Sequence, residues 1–159
     1  TGRIYSETGN LQAEPVQISD DHLIAYIRPG GNFEPSDSRY IVRSESHDGG
    51  ATWSKGKNSS FSNPNGAVSF IKLQNGHLLL VFNDSMNDRT PLTAAISEDN
   101  DTTWPHRRDL ATSGLDNTFA YPMAIQAKDG TIHVVCTTDV RKTVLLLSFQ
   151  EEAILGHTK

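Results

Sequence analysis

Cysteine is almost absent: Cys136 stands alone in 159 residues, so neither an intrachain disulfide nor a cysteine-based zinc cluster can form. Basic runs are missing as well. The net charge is 14 − 19 = −5, and no stretch interleaves basic with aromatic residues, so nucleic acid is not an expected partner. Apolar runs are short. The longest kind, such as Thr143 through Leu147, is strand length and far below a membrane span. No stretch sustains a 3.6-residue period, so no helix is expected. The six histidines (His22, His47, His77, His106, His133 and His157) show no metal-ligand spacing. No metal and no cofactor are therefore expected. No signal peptide is visible, and the chain opens at Thr1, compatible with a preceding segment. The length suffices for one domain with a real core.

What the chain does contain is repetition. Ser46-His47-Asp48-Gly49-Gly50-Ala51-Thr52-Trp53 and Ser97-Glu98-Asp99-Asn100-Asp101-Thr102-Thr103-Trp104 both read S-x-D-x-(G/D)-x-T-W, with their serines 51 residues apart. A period of that size signals an array of similar units. The short carboxylates of Asp48 and Asp99 suit a tight turn, where they accept backbone N–H groups. Gly49 and Gly50 permit the positive φ such turns need, and Asp101, in the place of Gly50, is a residue type that tolerates it. Trp53 and Trp104 add apolar surface just past the turn. The pattern reads as a structural staple built from Ser46, Asp48, Gly50, Thr52 and Trp53, and again from Ser97, Asp99, Thr103 and Trp104.

A second repeat supports the first. Turns at 19–22, 74–77 and 128–131 lead into strands, with Leu23, Leu78 and Ile132 at intervals of 55 and 54. Asn75-Gly76 and Asp129-Gly130 are two-residue hairpin signals. Strand pairs are expected at 15–18 with 23–28, 67–73 with 77–83, and 121–126 with 131–137. Third strands are expected at 40–46, 92–97 and 143–149, and fourth strands near 55–61 and 107–111. The expected fold is all-β: a single domain, 1–159, of three four-stranded blades at about 8–62, 63–113 and 114–159. The missing outer strand of the last unit is sought at 2–7 or 151–155. Three blades cannot close a ring, and open faces would expose apolar surface. The chain is then half of a longer six-bladed protein, or two copies associate about a two-fold axis; a homodimer is favoured.

The repeated octapeptide resembles the Asp-box of sialidases and related β-propellers. Larger segments resemble the C-terminal half of neuraminidases of the BNR-repeat, sialidase-like family. They are Asn63-Pro64-Asn65-Gly66, Leu78 through Asn83, Asp88-Arg89-Thr90-Pro91-Leu92, Ser97 through His106, Tyr121 through Gln126, and Asp129-Gly130 with Ile132-His133-Val134. The resemblance covers about residues 14–147. It implies a sialidase-type propeller that acts on or binds acidic sugars, sialic acid among them, and is compatible with a secreted or periplasmic location. It also implies a site in which arginine forks pair with a substrate carboxylate, and a glutamate assists a tyrosine nucleophile. Matched by motif, Glu14 resembles the glutamate, Arg28 and Arg89 the second and third arginines, and Tyr121 the nucleophile. If active, the chain would be an exo-sialidase-type glycosidase. Three departures bear on activity. The acid/base aspartate and the first arginine belong to the family's N-terminal half, which is not in this chain. Ser69 stands where the family has aspartate in its Asn-Pro-Asn stretch. Val144-Leu145 replaces a Lys-His pair. A dimeric ring would carry two copies of the four residues and no acid/base aspartate, and would suit an acidic sugar bound without cleavage. The alternative is thus a non-catalytic carbohydrate-binding or interaction propeller.

Overall fold

The computed structural model describes every residue except Phe33, Pro35, Gly114, Leu115, Asn117, Thr158 and Lys159. Eleven strands account for the regular structure of the described residues, with a short 3₁₀ turn at Glu151–Ala153. Strands β1 (Asn10–Gln17), β2 (Leu23–Pro29), β3 (Tyr40–Ser46) and β4 (Lys57–Ser62) form a first antiparallel sheet in that order. Strands β5 (Ser69–Lys72), β6 (Leu78–Asn83), β7 (Leu92–Ser97) and β8 (His106–Ala111) form a second. Strands β9 (Ala120–Gln126), β10 (Ile132–Thr138) and β11 (Thr143–Phe149) form a third. The first strands, β1, β5 and β9, lie side by side. No helix among the described residues is long and apolar enough to cross a membrane.

The sheets stack face to face. An aromatic-rich layer of Tyr26, Phe61, Phe70 and Phe82, with Trp104 packed against it, lies between the first and second sheets. Leu79, Val81 and Ile96 meet Ile132, Val134 and Cys136 between the second and third. Strand β6 is therefore buried on both faces, which is why it reads as an unbroken apolar run, Leu78 through Phe82. Strand β9 alternates instead: Ala120, Pro122 and Ala124 face inward, Tyr121, Met123 and Ile125 outward. Its outward face continues across the sheet through Val135, Val144 and Leu146, all exposed.

Two expectations are corrected. The third sheet has three strands among the described residues, not four. Residues 2–7 dock on the first sheet instead, where the Tyr5 carbonyl accepts the Gly56 N–H at 2.8 Å. Residues 151–157 fold back onto the second sheet: Arg107 N–H donates to the His157 carbonyl at 2.7 Å and the Arg108 guanidinium to the Ala153 carbonyl at 2.6 Å. The hairpin loops are also one residue longer than expected. Leu73 pairs with His77, and Ala127 with Thr131, so each loop has three residues closed by a glycine at φ 94 (Gly76) or φ 90 (Gly130).

The two octapeptides form the same turn. Ser46 Oγ donates to Asp48 Oδ1 at 2.8 Å, and Asp48 accepts both the N–H and the hydroxyl of Thr52, at 2.8 and 2.6 Å. Ser97, Asp99 and Thr103 repeat these contacts at 2.9, 2.8 and 2.6 Å. Gly50 and Asp101 hold the same left-handed backbone, φ 88 and φ 76.

Candidate functional site

A strand end and two connecting loops bring three arginines to one tyrosine. Tyr121, second residue of β9, has a left-handed φ of 54 and is 39% exposed. The Arg89 guanidinium lies 5.6 Å from its ring centroid and that of Arg141 5.5 Å, within cation–π range. Arg28, at the end of β2, is only 7% exposed. Its Nε donates to Asn65 Oδ1 and its NH1 to Gln12 Oε1, both at 2.8 Å. Asn65 is fully buried at φ 60, and its carbonyl accepts Arg89 NH2 at 3.4 Å. Asn65 thus ties the two arginines together from side chain and backbone. A guanidinium has five N–H donors, so both retain free donors for a ligand.

The electrostatics follow from this crowding. Burial is the largest single influence and pushes the Tyr121 phenol up, but the charge of Arg141, together with Arg89 and Arg28 as donors, outweighs it and holds the phenol below its ordinary value. Burial and then the neighbouring charge of Arg89 lower the Arg28 guanidinium. Glu14 is half-buried on β1 opposite Tyr26, and burial raises its carboxyl above the usual range. It forms no ion pair with Arg28, which is held by Gln12 and Asn65 and faces Tyr121. It makes no hydrogen bond to Tyr121 either, β5 lying between their strands. The structure therefore brings together Arg28, Arg89 and Tyr121 and leaves Glu14 outside their hydrogen-bond network. Ser69, at the position where an aspartate was of interest, accepts the Ala124 N–H on Oγ at 2.9 Å and so links β5 to β9.

Sequence reasoning missed Arg141, Asn65 and Gln12. Arg141 was findable: the β9–β10 and β10–β11 registers pair Thr137 with Ala120 and Thr138 with Thr143, which sets the 139–142 turn beside residue 121. Three successive non-glycine residues there, Asp139, Val140 and Arg141, have φ of 52, 49 and 64. Asp116 holds the turn by accepting the N–H groups of Asp139 and Val140 at 3.0 and 2.6 Å.

Stacked antiparallel sheets whose first strands run side by side, stapled by repeated S-x-D turns, define a sialidase-like all-β scaffold. A family model, the BNR repeat-like domain, matches residues 1–134, and the chain belongs to that family. No curated protein matches the chain. Among solved structures it is similar to the intramolecular trans-sialidase of Ruminococcus gnavus in complex with oseltamivir carboxylate (TM-score 0.72, 20% identity, 89% of this chain and 33% of that one). It is similar to the NanB sialidase of Streptococcus pneumoniae (TM-score 0.70, 20% identity, 89% and 23%). It is also similar to an α-L-arabinofuranosidase of Fusarium graminearum (TM-score 0.59, 17% identity, 91% and 45%). The chain spans about a quarter to a third of the sialidases it matches, and likeness at this identity establishes the fold alone.

Proposed function

We propose that this chain carries the tyrosine-and-arginine side of a sialidase-type site and takes the carboxylate of an acidic sugar between Arg28 and Arg89. The observation that carries the reading is the convergence of Arg28, Arg89 and Arg141 on the exposed Tyr121 phenol. Positive charge in excess at one spot favours an anionic ligand, and planar forks favour a carboxylate. The same charge favours the phenolate, the form a tyrosine nucleophile needs. The sialidase and trans-sialidase neighbours supply the sugar class. Catalysis of glycoside hydrolysis also needs an acid/base group, and the resemblance puts that aspartate in the half of the family not represented here, while Ser69 stands in place of an aspartate and Glu14 lies outside the arginine–tyrosine hydrogen bonds. Binding by this chain is accordingly the primary reading. Turnover would need a second copy or the remainder of a longer propeller packed on the open face of Met123, Ile125, Val135, Val144 and Leu146.

Titration calorimetry with N-acetylneuraminic acid tests the reading. Binding to the wild type that is lost in both Arg28→Ala and Arg89→Ala supports it; binding untouched by either substitution, or no binding, refutes it. A fluorogenic sialoside assay on the wild type and Tyr121→Phe separates hydrolysis from binding. Turnover abolished by the loss of one hydroxyl makes Tyr121 the nucleophile; absence of turnover with binding retained leaves a carbohydrate-binding module.

A further inference from the structure

Away from the arginines, three metal-capable side chains converge where β2 and β3 meet their turns. Leu23 pairs with Ser46 and Ile24 with Glu45, which sets His22, Glu45 and His47 together across the hairpin. One donor atom from each lies within 4.8 Å of the others. Glu45 Oε2 is 3.5 Å from His22 Nε2 and 3.8 Å from His47 Nε2. Ligands at zinc–nitrogen and zinc–oxygen bond lengths in a tetrahedral shell stand about 3.3–3.5 Å apart. Of the three pairs, His22–Glu45 already has that spacing, Glu45–His47 lies a few tenths of an ångström beyond it, and His22–His47 is within 4.8 Å, so movement of the exposed His47 is what completes the shell. The two imidazoles stack with centroids 4.4 Å apart and planes 23° apart, presenting their rings as a pair.

The second observation concerns His22 Nε2. That nitrogen is shielded from solvent, and its nearest acceptor, Glu45 Oε2, stands at 3.5 Å, too long for a good hydrogen bond. A shielded nitrogen so weakly satisfied asks for an explanation. The matched place in the second sheet shows the contrast. His77 occupies the position of His22, but its Nδ1 lies 2.6 Å from Glu151 Oε1. There Glu98 replaces His47, and it pairs with His106 at 2.8 Å. The second sheet satisfies its histidine with carboxylates; the first offers two imidazoles and a single carboxylate. Arg43 NH2 binds Glu45 Oε2 at 3.1 Å and is itself fastened to Asp101. It fits the outer shell of hydrogen bonds that fixes a metal-ligating carboxylate.

We propose that His22, Glu45 and His47 form a site for one divalent cation of the zinc class, with a fourth position open to water or a ligand. Imidazole and carboxylate together suit zinc and its transition-metal neighbours, whereas calcium takes six to eight oxygens. The site is independent of the arginine cluster.

Titration of tag-free, chelator-treated protein with zinc chloride, followed by calorimetry and thermal melting, tests the assignment. One equivalent of zinc is expected to bind and to raise the melting temperature by about 5 °C near saturation. His47→Ala, at an exposed position where folding is not at stake, should weaken binding at least tenfold. Glu45→Gln should weaken it too, and His133→Ala, on the third sheet, should leave it unchanged. Calcium should give no saturable heat. Absence of saturation below about 1 mM zinc, or equal affinity in the wild type and His47→Ala, overturns the proposal.

Discussion

Removal of one carboxylate should weaken the hold of the second sheet on the first. Asp101 occupies the place held by a glycine in the first turn, and its side chain is 1% exposed. It accepts the Tyr26 hydroxyl at 2.6 Å, Arg43 Nε at 2.6 Å and Trp104 Nε1 at 2.9 Å. Tyr26 and Arg43 belong to the first sheet, Trp104 to the turn of the second. Burial and then Asp101 hold the Tyr26 phenol well above its ordinary value. Hydrogen bonds to a charged acceptor contribute about 1.5–3 kcal/mol each, but they are not additive here. Asp101→Ala leaves the buried Tyr26 hydroxyl and the Trp104 N–H without their acceptor. The Arg43 share must be discounted, because that side chain is 31% exposed and keeps Glu45. Breaking a buried charge and leaving its partners costs about 3–5 kcal/mol, and the discount puts Asp101→Ala near the lower end, about 3 kcal/mol.

Backbone strain sharpens the test. Residue 101 sits at φ 76, where alanine is disfavoured by about 1–2 kcal/mol and glycine is not. Asp101→Gly, which recreates the first turn, should therefore destabilise by about 1 kcal/mol less than Asp101→Ala, although both delete the same carboxylate. Urea unfolding followed by tryptophan fluorescence reads both values, and the alanine variant should melt about 10 °C below the wild type. A double-mutant cycle with Tyr26→Phe should return a coupling energy of about 1 kcal/mol or more. An Asp101→Ala variant within 1 kcal/mol of the wild type, or a zero coupling energy, would refute the clamp.

The remaining predictions concern charge and assembly. Tyr121 should ionise below the ordinary phenol value near 10, and ultraviolet difference titration should show that value rising in Arg141→Ala, since Arg141 is the foremost of the groups lowering it. Asp48 should titrate at about 2, held down first by the Thr52 hydroxyl and N–H and then by Ser46. A depressed carboxyl stabilises the fold above its unfolded value and loses that contribution as pH falls, so the Asp48 part of the acid transition should lie between about pH 4 and 2. Nuclear magnetic resonance of the Asp48 carboxyl checks this, and an ordinary value would contradict the staple geometry. Leu146→Glu, on the open face of the third sheet, should leave the melting temperature within a few degrees but block self-association. Light scattering reads the mass: 17.5 kDa for the wild type as well would rule out the two-copy ring.

The scaffold was legible because it is local and repeated. Turn chemistry at Gly76 and Gly130, apolar runs such as Leu78 through Phe82, and the duplicated S-x-D staples each write their geometry into adjacent residues. The third sheet misled because nothing local distinguishes a missing fourth strand from a tail that docks elsewhere. The fate of residues 151–157 is decided by a buried Glu151 reaching His77 and Asn75, residues 74–76 positions away in the chain. The arginine cluster was half legible: Arg28, Arg89 and Tyr121 sit in recognisable segments, whereas Arg141 enters only through cross-strand register.

Repetition also explains where new function can arise in such a chain. Matched positions inherit the same backbone, so a side chain that differs between units meets a geometry already built. Asp101 in the place of Gly50 converts an identical turn into a clamp between sheets. His47 in the place of Glu98 converts a histidine–carboxylate pair into two imidazoles over one carboxylate. Neither change disturbs its own turn: Ser46–Asp48–Thr52 and Ser97–Asp99–Thr103 keep hydrogen bonds within 0.1 Å of each other in length. The staples hold the backbone constant, and the positions beside them are free to acquire an interlock such as Asp101 or the side chains of the proposed cation site.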